Sequence, residues 1–583
     1  MPTLEWIGKD KVVNHHLDVP YRVLERQYSF DENGQHIGDN GSDNMIIHGD
    51  NLEALKSLLP QYEGRVKCIY IDPPYNTGNE GWVYNDNVND PRIRKWLGDV
   101  VGKEGEDLSR HDKWLCMMYP RLKLLQKLLS DDGVIFISID DTEYANLKLI
   151  CDEIFGSNCF VSNISWQRTY STRNDSKGIV NEVEHVIVYS KQPNWQPNKL
   201  PRTAEMNAKY KNPDNDVALW RPDNAYAPGA ATHQGMVYAI QHPFTGEYLY
   251  PSNGRCWTFG QEQMLEIMCG WCEYELRELD DAKQRAAICG VSERDIRQGV
   301  KAIVLAETLE ISSKKAQAVY DKGPWPRFFF SKGGKGGIAR KTYLDNVGGK
   351  LPTNFWPFSE TGHTDEAKKE MLAIFNGRAT FDTPKPCRLL EYVLTIAGDK
   401  ETLILDSFAG SGTTAHAVLS MNKADGGKRS FILIEMMDYA DSITTERVKR
   451  VIQGYGSGKN AVAGTGGNFS YYELGEPLMV GDVLNENVGV DKIREYVYFT
   501  DTKSRLPETH PDEPYYMGTH VNSAYYFYYE KQAVTTLNRE FLHTVKTKAD
   551  TYVIYADLCT LSDAELEKYH ITFKKIPRDI TKL

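Results

Sequence analysis

The chain has 583 residues, 41% of them hydrophobic and 25% charged, with a formal net charge of −12. That length exceeds one ordinary core and implies two to four domains, while the acidity excludes a protein coated in basic surface, so any nucleic-acid contact must be a local patch. No apolar run is long enough to span a bilayer, no signal-peptide layout opens the chain, and ten cysteines lack framework spacing, which together point to a reducing cytoplasm.

Residues 1–42 are mixed and polar and read as an N-terminal arm. From 43 to 195, strand-like and helix-like patterns alternate. Met45-Ile46-Ile47-His48 leads into Gly49-Asp50, and Leu52, Leu55, Leu58 and Leu59 then recur at helical spacing. Val66 to Ile71 reads as a strand, Trp114 to Leu129 as an amphipathic helix and Val134 to Ile139 as another strand. This rhythm predicts a parallel sheet covered by helices. Residues 196–380 break it, being rich in Pro, Gly, Trp and Tyr, and read as an inserted domain. Residues 381–455 resume it, with strands ending at Asp406 and Glu435. A Gly-rich linker from Gly454 to Gly467 opens a tyrosine-rich C-terminal region over 456–583.

Two motifs carry chemistry. Leu405-Asp406-Ser407-Phe408-Ala409-Gly410-Ser411-Gly412-Thr413-Thr414 follows an apolar run, where the chain must turn sharply from strand to helix. Gly410 and Gly412 let a ligand lie against the main chain. A GxG alone marks only a turn, but the next strand ends in Glu435, a carboxylate suited to ribose hydroxyls. Asp406 suits the ammonium of a methionine-like group, and Asp50 an adenine amino group. The set suits S-adenosylmethionine, and the loop lacks the GxxxxGK[ST] layout of a P-loop. The second motif is Ile71-Asp72-Pro73-Pro74-Tyr75-Asn76-Thr77-Gly78. A conjugated exocyclic amine is a poor nucleophile, and two acceptors aimed at its hydrogens favour a tetrahedral, positively charged nitrogen. The Asp72 side chain and the Pro73 carbonyl are those acceptors. Pro73 and Pro74 stiffen the turn, and Tyr75 offers a face on which an extruded base stacks.

HGDNLEALKSLL, CIYIDPPYNTG, DGVIFISIDD, TPKPCRLLEYVL and LDSFAGSGTT resemble the β class of DNA adenine N6-methyltransferases, and more narrowly the modification (Mod) subunit of type III restriction–modification systems. The resemblance implies an α/β, Rossmann-like S-adenosylmethionine-dependent methyltransferase fold in circularly permuted motif order. The catalytic half would span 43–195, a target-recognition domain 196–380 and the cofactor half 381–455, with a C-terminal α/β region at 456–583. It places Asp72, Pro73, Pro74 and Tyr75 in catalysis. It assigns Asp50, Thr383, Lys385, Asp406, Phe408, Gly410, Ser411, Gly412, Thr413 and Glu435 to the cofactor. It implies base flipping in double-stranded DNA, a homodimer through the C-terminal region, and a Res-type helicase–nuclease partner. Asp rather than Ser at position 72 favours adenine over cytosine N4. A solitary methyltransferase and a DNA-specificity subunit remain the alternatives.

Lys322 to Lys350 holds seven basic residues against Asp345, with interleaved glycines, so Lys332, Lys335, Arg340 and Lys341 are expected to contact DNA phosphates. Arg168, Tyr170 and Arg173 could approach the flipped strand. Cys269-Gly270-Trp271-Cys272 has CxxC spacing without a second regular pair, so no metal is expected.

Overall fold

The computed structural model describes residues 3–77, 110–170, 179–507 and 512–578; Gly78 and Arg173 lie outside them. It divides into two compact units, one made of Met1–Asn198 with Pro352–Leu583 and the other of Lys199–Leu351.

The first unit is built on one mixed sheet. Its strands among the described residues are β1 (Arg22–Asp31), β2 (Gly34–His36), β3 (Met45–His48), β4 (Val66–Ile71), β5 (Leu129–Ile139), β6 (Phe160–Gln167), β7 (Val183–Ser190), β8 (Phe355–Trp356), β9 (Leu403–Asp406), β10 (Ser430–Glu435) and β11 (Phe469–Pro477). Their spatial order is β8-β6-β7-β5-β4-β9-β10-β3-β11-β1-β2. From β5 across to β11 the strands run parallel; antiparallel pairs follow on both sides, and β8 closes one edge parallel to β6. Parallel strands are covered on both faces, which is why Val66–Ile71 and Phe431–Ile434 are apolar almost without interruption.

Helix α1 (Asn51–Tyr62) follows β3, capped by the Asp50 side chain, which accepts from the Leu52 and Glu53 amides. Its face of Leu52, Leu55, Leu58 and Leu59 enters the main core with Trp114, Leu122 and Leu125 of α2 (Arg110–Leu128). α3 (Thr364–Ile374) and α4 (Cys387–Ala397) precede β9, and α5 (Thr413–Asp425) joins β9 to β10. α6 (Glu446–Gln453) follows β10.

The chain leaves β4 through α2 toward β5, and leaves β9 through α5 toward β10 on the other side. β4 and β9 are themselves neighbours, with Cys68 beside Ile404 and Ile69 beside Leu405. Connections that part in opposite directions from adjacent parallel strands open a crevice at their carboxyl ends. The α/β, Rossmann-like arrangement is thus assembled from two distant chain segments.

The division differs from the sequence expectation in three places. Residues 1–42 are not only an arm: β1 and β2 extend the sheet, β1 pairing with β11. Residues 352–380 belong to the first unit, because Phe355 and Trp356 pair with Ser165 and Trp166 of β6 and α3 joins the same unit. The C-terminal region contributes β11 to the sheet. Beyond it, α7 (Val490–Thr502) leads to a smaller sheet of β12 (Tyr516–His520), β13 (Ser523–Phe527), β14 (Thr551–Ala556) and β15 (Ile571–Lys575).

The second unit has its own core of Trp220, Trp257, Trp271, Phe328, Phe329 and Phe330. Trp220 and Trp257 are almost fully buried in that core. Among the described residues, no helix is long and apolar enough to cross a membrane.

Candidate active site

Asp72 sits at the end of β4, and the stiff turn after it carries Tyr75 back to the same carboxylate. The Tyr75 hydroxyl lies 2.8 Å from Asp72 Oδ1 and 3.2 Å from Glu184 Oε2, serving one at a time with its single proton. The Pro74 carbonyl accepts from Trp114 Nε1 at 2.7 Å, which pins the turn to α2. Among the described residues the Pro73 carbonyl accepts no hydrogen bond. Lys385 completes the cluster: its ammonium donates to both Asp72 oxygens at 2.8 and 2.9 Å and to the Tyr75 hydroxyl at 2.9 Å. It lies 3.5 Å from Glu184 Oε2, while Arg168 holds Glu184 Oε1 at 2.9 Å. Burial opposes the charges on Lys385 and Glu184, but their mutual attraction outweighs it. The lysine is held above its ordinary pKa by Asp72 and Glu184, and Glu184 below its own by Lys385 and Arg168.

The loop after β9 forms the other wall. Gly410 and Gly412 have φ of 51° and 77°. A Cβ on Gly410 would stand 3.0 Å from the Phe381 ring, and one on Gly412 2.9 Å from the Thr444 carbonyl. The loop is laced from beneath. Asp406 accepts from the Phe408 amide at 3.1 Å and the Thr414 hydroxyl at 2.6 Å, and Glu435 accepts from the Gly410 and Met437 amides at 2.8 and 3.0 Å. Burial pushes both carboxyls up to about 7. The Ser407 hydroxyl is buried with no partner among the described residues. Asp50 ends β3 at the same end of the sheet; besides capping α1 it faces Arg121 at 3.5 Å. Asn51 donates to the Ser407 carbonyl at 3.2 Å. Phe408 packs half-buried against the main core, and Thr383 is exposed.

The two walls meet at Lys385. Its ammonium binds Asp72, and its carbonyl accepts from Thr413 Oγ1 at 3.2 Å. Below that junction lies a group the sequence reading missed. The fully buried Arg447 of α6 donates to Ser411 and Thr413 at 3.0 and 2.7 Å, to Glu370 of α3 at 2.8 Å, and to His416 Nδ1 at 3.1 Å. Burial keeps His416 neutral, so Nδ1 is free to accept. Glu370, Cys387 and His416 bring ligand-type atoms within 4.8 Å of one another, but the Arg447 guanidinium already binds two of the three. Glu184 and Trp166 were also missed. An acid opening the apolar strand Val183–Ser190 was their one sequence signal.

The basic stretch divides. Lys332 and Lys335 are exposed on a Gly-rich turn, and Arg340 is half-buried beside Asp223 at 3.4 Å. Lys341 does not fit phosphate contact. Its ammonium is buried against Asp214 and Asp216, with the Trp325 carbonyl accepting at 2.7 Å. The strand Ile338–Tyr343 alternates faces, so Lys341 points inward. Tyr170 is exposed, its ring 4.8 Å from His363. Cys269 is an exposed free thiol and Cys272 a buried one.

A family model described as DNA methylase matches residues 66–264 and 296–446. The StyLTI Mod subunit of a type III restriction-modification enzyme from Salmonella typhimurium is 33% identical over 440 residues, covering 70% of this chain and 57% of that protein. The type III EcoPI Mod subunit of Escherichia phage P1 is 27% identical over 473 residues, covering 74% and 63%. The type II methyltransferase M.KpnI of Klebsiella pneumoniae is 29% identical over 411 residues, covering 68% and 81%. The chain thus spans 57% and 63% of the two Mod subunits.

Proposed function

Because the chain belongs to the DNA methylase family, we propose that it methylates the N6 amine of adenine at specific sites in double-stranded DNA. The observation that carries this reading is Lys385, which joins the Asp72–Tyr75 turn to the Gly410–Gly412 loop across neighbouring strands. An acceptor set for an amine and a glycine-rich cradle between two buried acids thereby share one crevice.

The donor set fits S-adenosylmethionine: Asp406 for an ammonium, Glu435 for hydroxyls, the Ser407 hydroxyl, unpartnered among the described residues, and main chain that a Cβ would obstruct. When bound, that cofactor supplies a sulfonium methyl, the new N–C bond forming as the S–C bond breaks. The protein's part is orientation. Asp72 and the Pro73 carbonyl accept the two amine hydrogens, and so favour the tetrahedral nitrogen as positive charge grows on it. Tyr75 gives the flipped base a stacking face. After transfer the extra proton leaves the nitrogen for the Asp72 carboxylate or for water. In this reading the second unit recognises the target, with Lys332 and Lys335 as phosphate contacts.

The Mod likeness supports a type III modification subunit with a Res-type helicase–nuclease partner, and the proposal includes a homodimer. The coverage of M.KpnI favours a second reading, a methyltransferase that acts without such a partner. Modification-sensitive sequencing of DNA from cells expressing the protein, beside D72A, tests the reaction. N6-methyladenine at one recurrent motif, lost in D72A while cofactor binding persists, is expected. N4-methylcytosine or no modification would refute the reading.

A further inference from the structure

The Lys385 ammonium occupies the hydrogen-bond acceptors that the proposed reaction needs. It takes both Asp72 oxygens and the Tyr75 hydroxyl, and lies 5.0 Å from the Tyr75 ring centre. A tetrahedral, positively charged nitrogen against Asp72 and Tyr75 resembles the reacting amine itself. The two compete for the same lone pairs. An ammonium left in place would also face the positive charge growing on the substrate nitrogen.

Lys385 has little access to water, its side chain being 11% exposed. It does have a second carboxylate within a small side-chain movement. Glu184 Oε2 lies 3.5 Å from the ammonium, on a side chain 8% exposed. Arg168 grips the other oxygen and so fixes the carboxylate's orientation. The Trp166 ring centre lies 5.9 Å from the ammonium, adding an aromatic surface that tolerates a cation there.

Resting on the reading of function above, we propose that Lys385 holds the amine's seat while the site is empty, and that Glu184 is the positioning residue that receives this ammonium when a base enters. Asp72 is then released to the substrate nitrogen, and no buried charge loses its partner during the exchange.

The test uses the full-length protein and the recurrent motif found by sequencing. Binding is measured on duplexes carrying either adenine or purine, which lacks the 6-amino group, at the target position. Wild type, E184Q, K385M and the double variant are compared. E184Q removes the charge but keeps the shape. It is expected to weaken binding of the adenine duplex ~10-fold relative to the purine duplex, and on the K385M background that difference should vanish, the signature of coupled residues. Equal losses on both duplexes, or the same selective loss without Lys385, would overturn the exchange and leave Glu184 a structural residue. Affinity for S-adenosylmethionine within about twofold of wild type confirms that E184Q is folded. Failure of wild type to make N6-methyladenine would instead remove the functional reading, and this inference with it.

Discussion

Cofactor affinity should rise with pH in a window set by Asp406 and Glu435. Burial pushes each carboxyl up to about 7. A raised carboxyl favours the protonated form, so its contribution to stability is present below the ordinary carboxylate range and is lost as pH climbs through about 7. A cationic ligand reverses the preference, drawing a proton off on binding. With a pKa near 7, the ionised fraction is ~3% at pH 5.5 and ~50% at pH 7. If only the Asp406 carboxylate must be charged to hold the ammonium, the dissociation constant falls about 15-fold across that interval, roughly 1.6 kcal/mol. If Glu435 must ionise as well, the two factors multiply to ~250-fold. Calorimetric titration of the purified protein with S-adenosylmethionine, in two buffers of different ionisation enthalpy, reads both the affinity and the protons released. D406N should flatten the dependence. A dissociation constant constant within twofold from pH 5.5 to 7, with no proton release, would refute the assignment of Asp406 to the ammonium.

Two further outcomes follow from buried contacts. K341M strands Asp214 and Asp216 without their cation, which costs ~3–5 kcal/mol for a broken buried pair, so the melting temperature should fall; unchanged melting would refute the buried pairing. G412A forces a side chain into left-handed backbone at φ 77°, and its Cβ 2.9 Å from the Thr444 carbonyl. It should cost ~1–2 kcal/mol from the backbone alone and weaken cofactor binding; wild-type melting and affinity would count against the cradle.

Elements whose surroundings are uniform were legible in the chain. Strands β4 and β10, buried on both faces, read as nearly unbroken apolar runs, and α1 announced itself through its leucine spacing. Asp72, Tyr75, Gly410 and Gly412 were legible for a different reason. A stiff Pro-Pro turn and paired glycines are local devices, and their geometry is written in consecutive residues. β1 and the return of 352–380 to the sheet were not legible, because β1, half-exposed to water, carries Arg and Glu between its apolar positions and Phe355–Trp356 is only two residues long.

The sequence by itself determined where the two local motifs lie and that two α/β halves exist. Only the tertiary structure decided which side chains complete them. Lys385 meets Asp72 across 313 positions, and Arg447 reaches Ser411 across 36, distances over which no periodicity survives. Lys341 makes the same point in reverse. Its neighbours in sequence mark it as a surface cation, and the inward face of its strand makes it the partner of two buried aspartates. A motif can fix local geometry, but burial and charge pairing belong to the fold as a whole, because they depend on what the far chain brings.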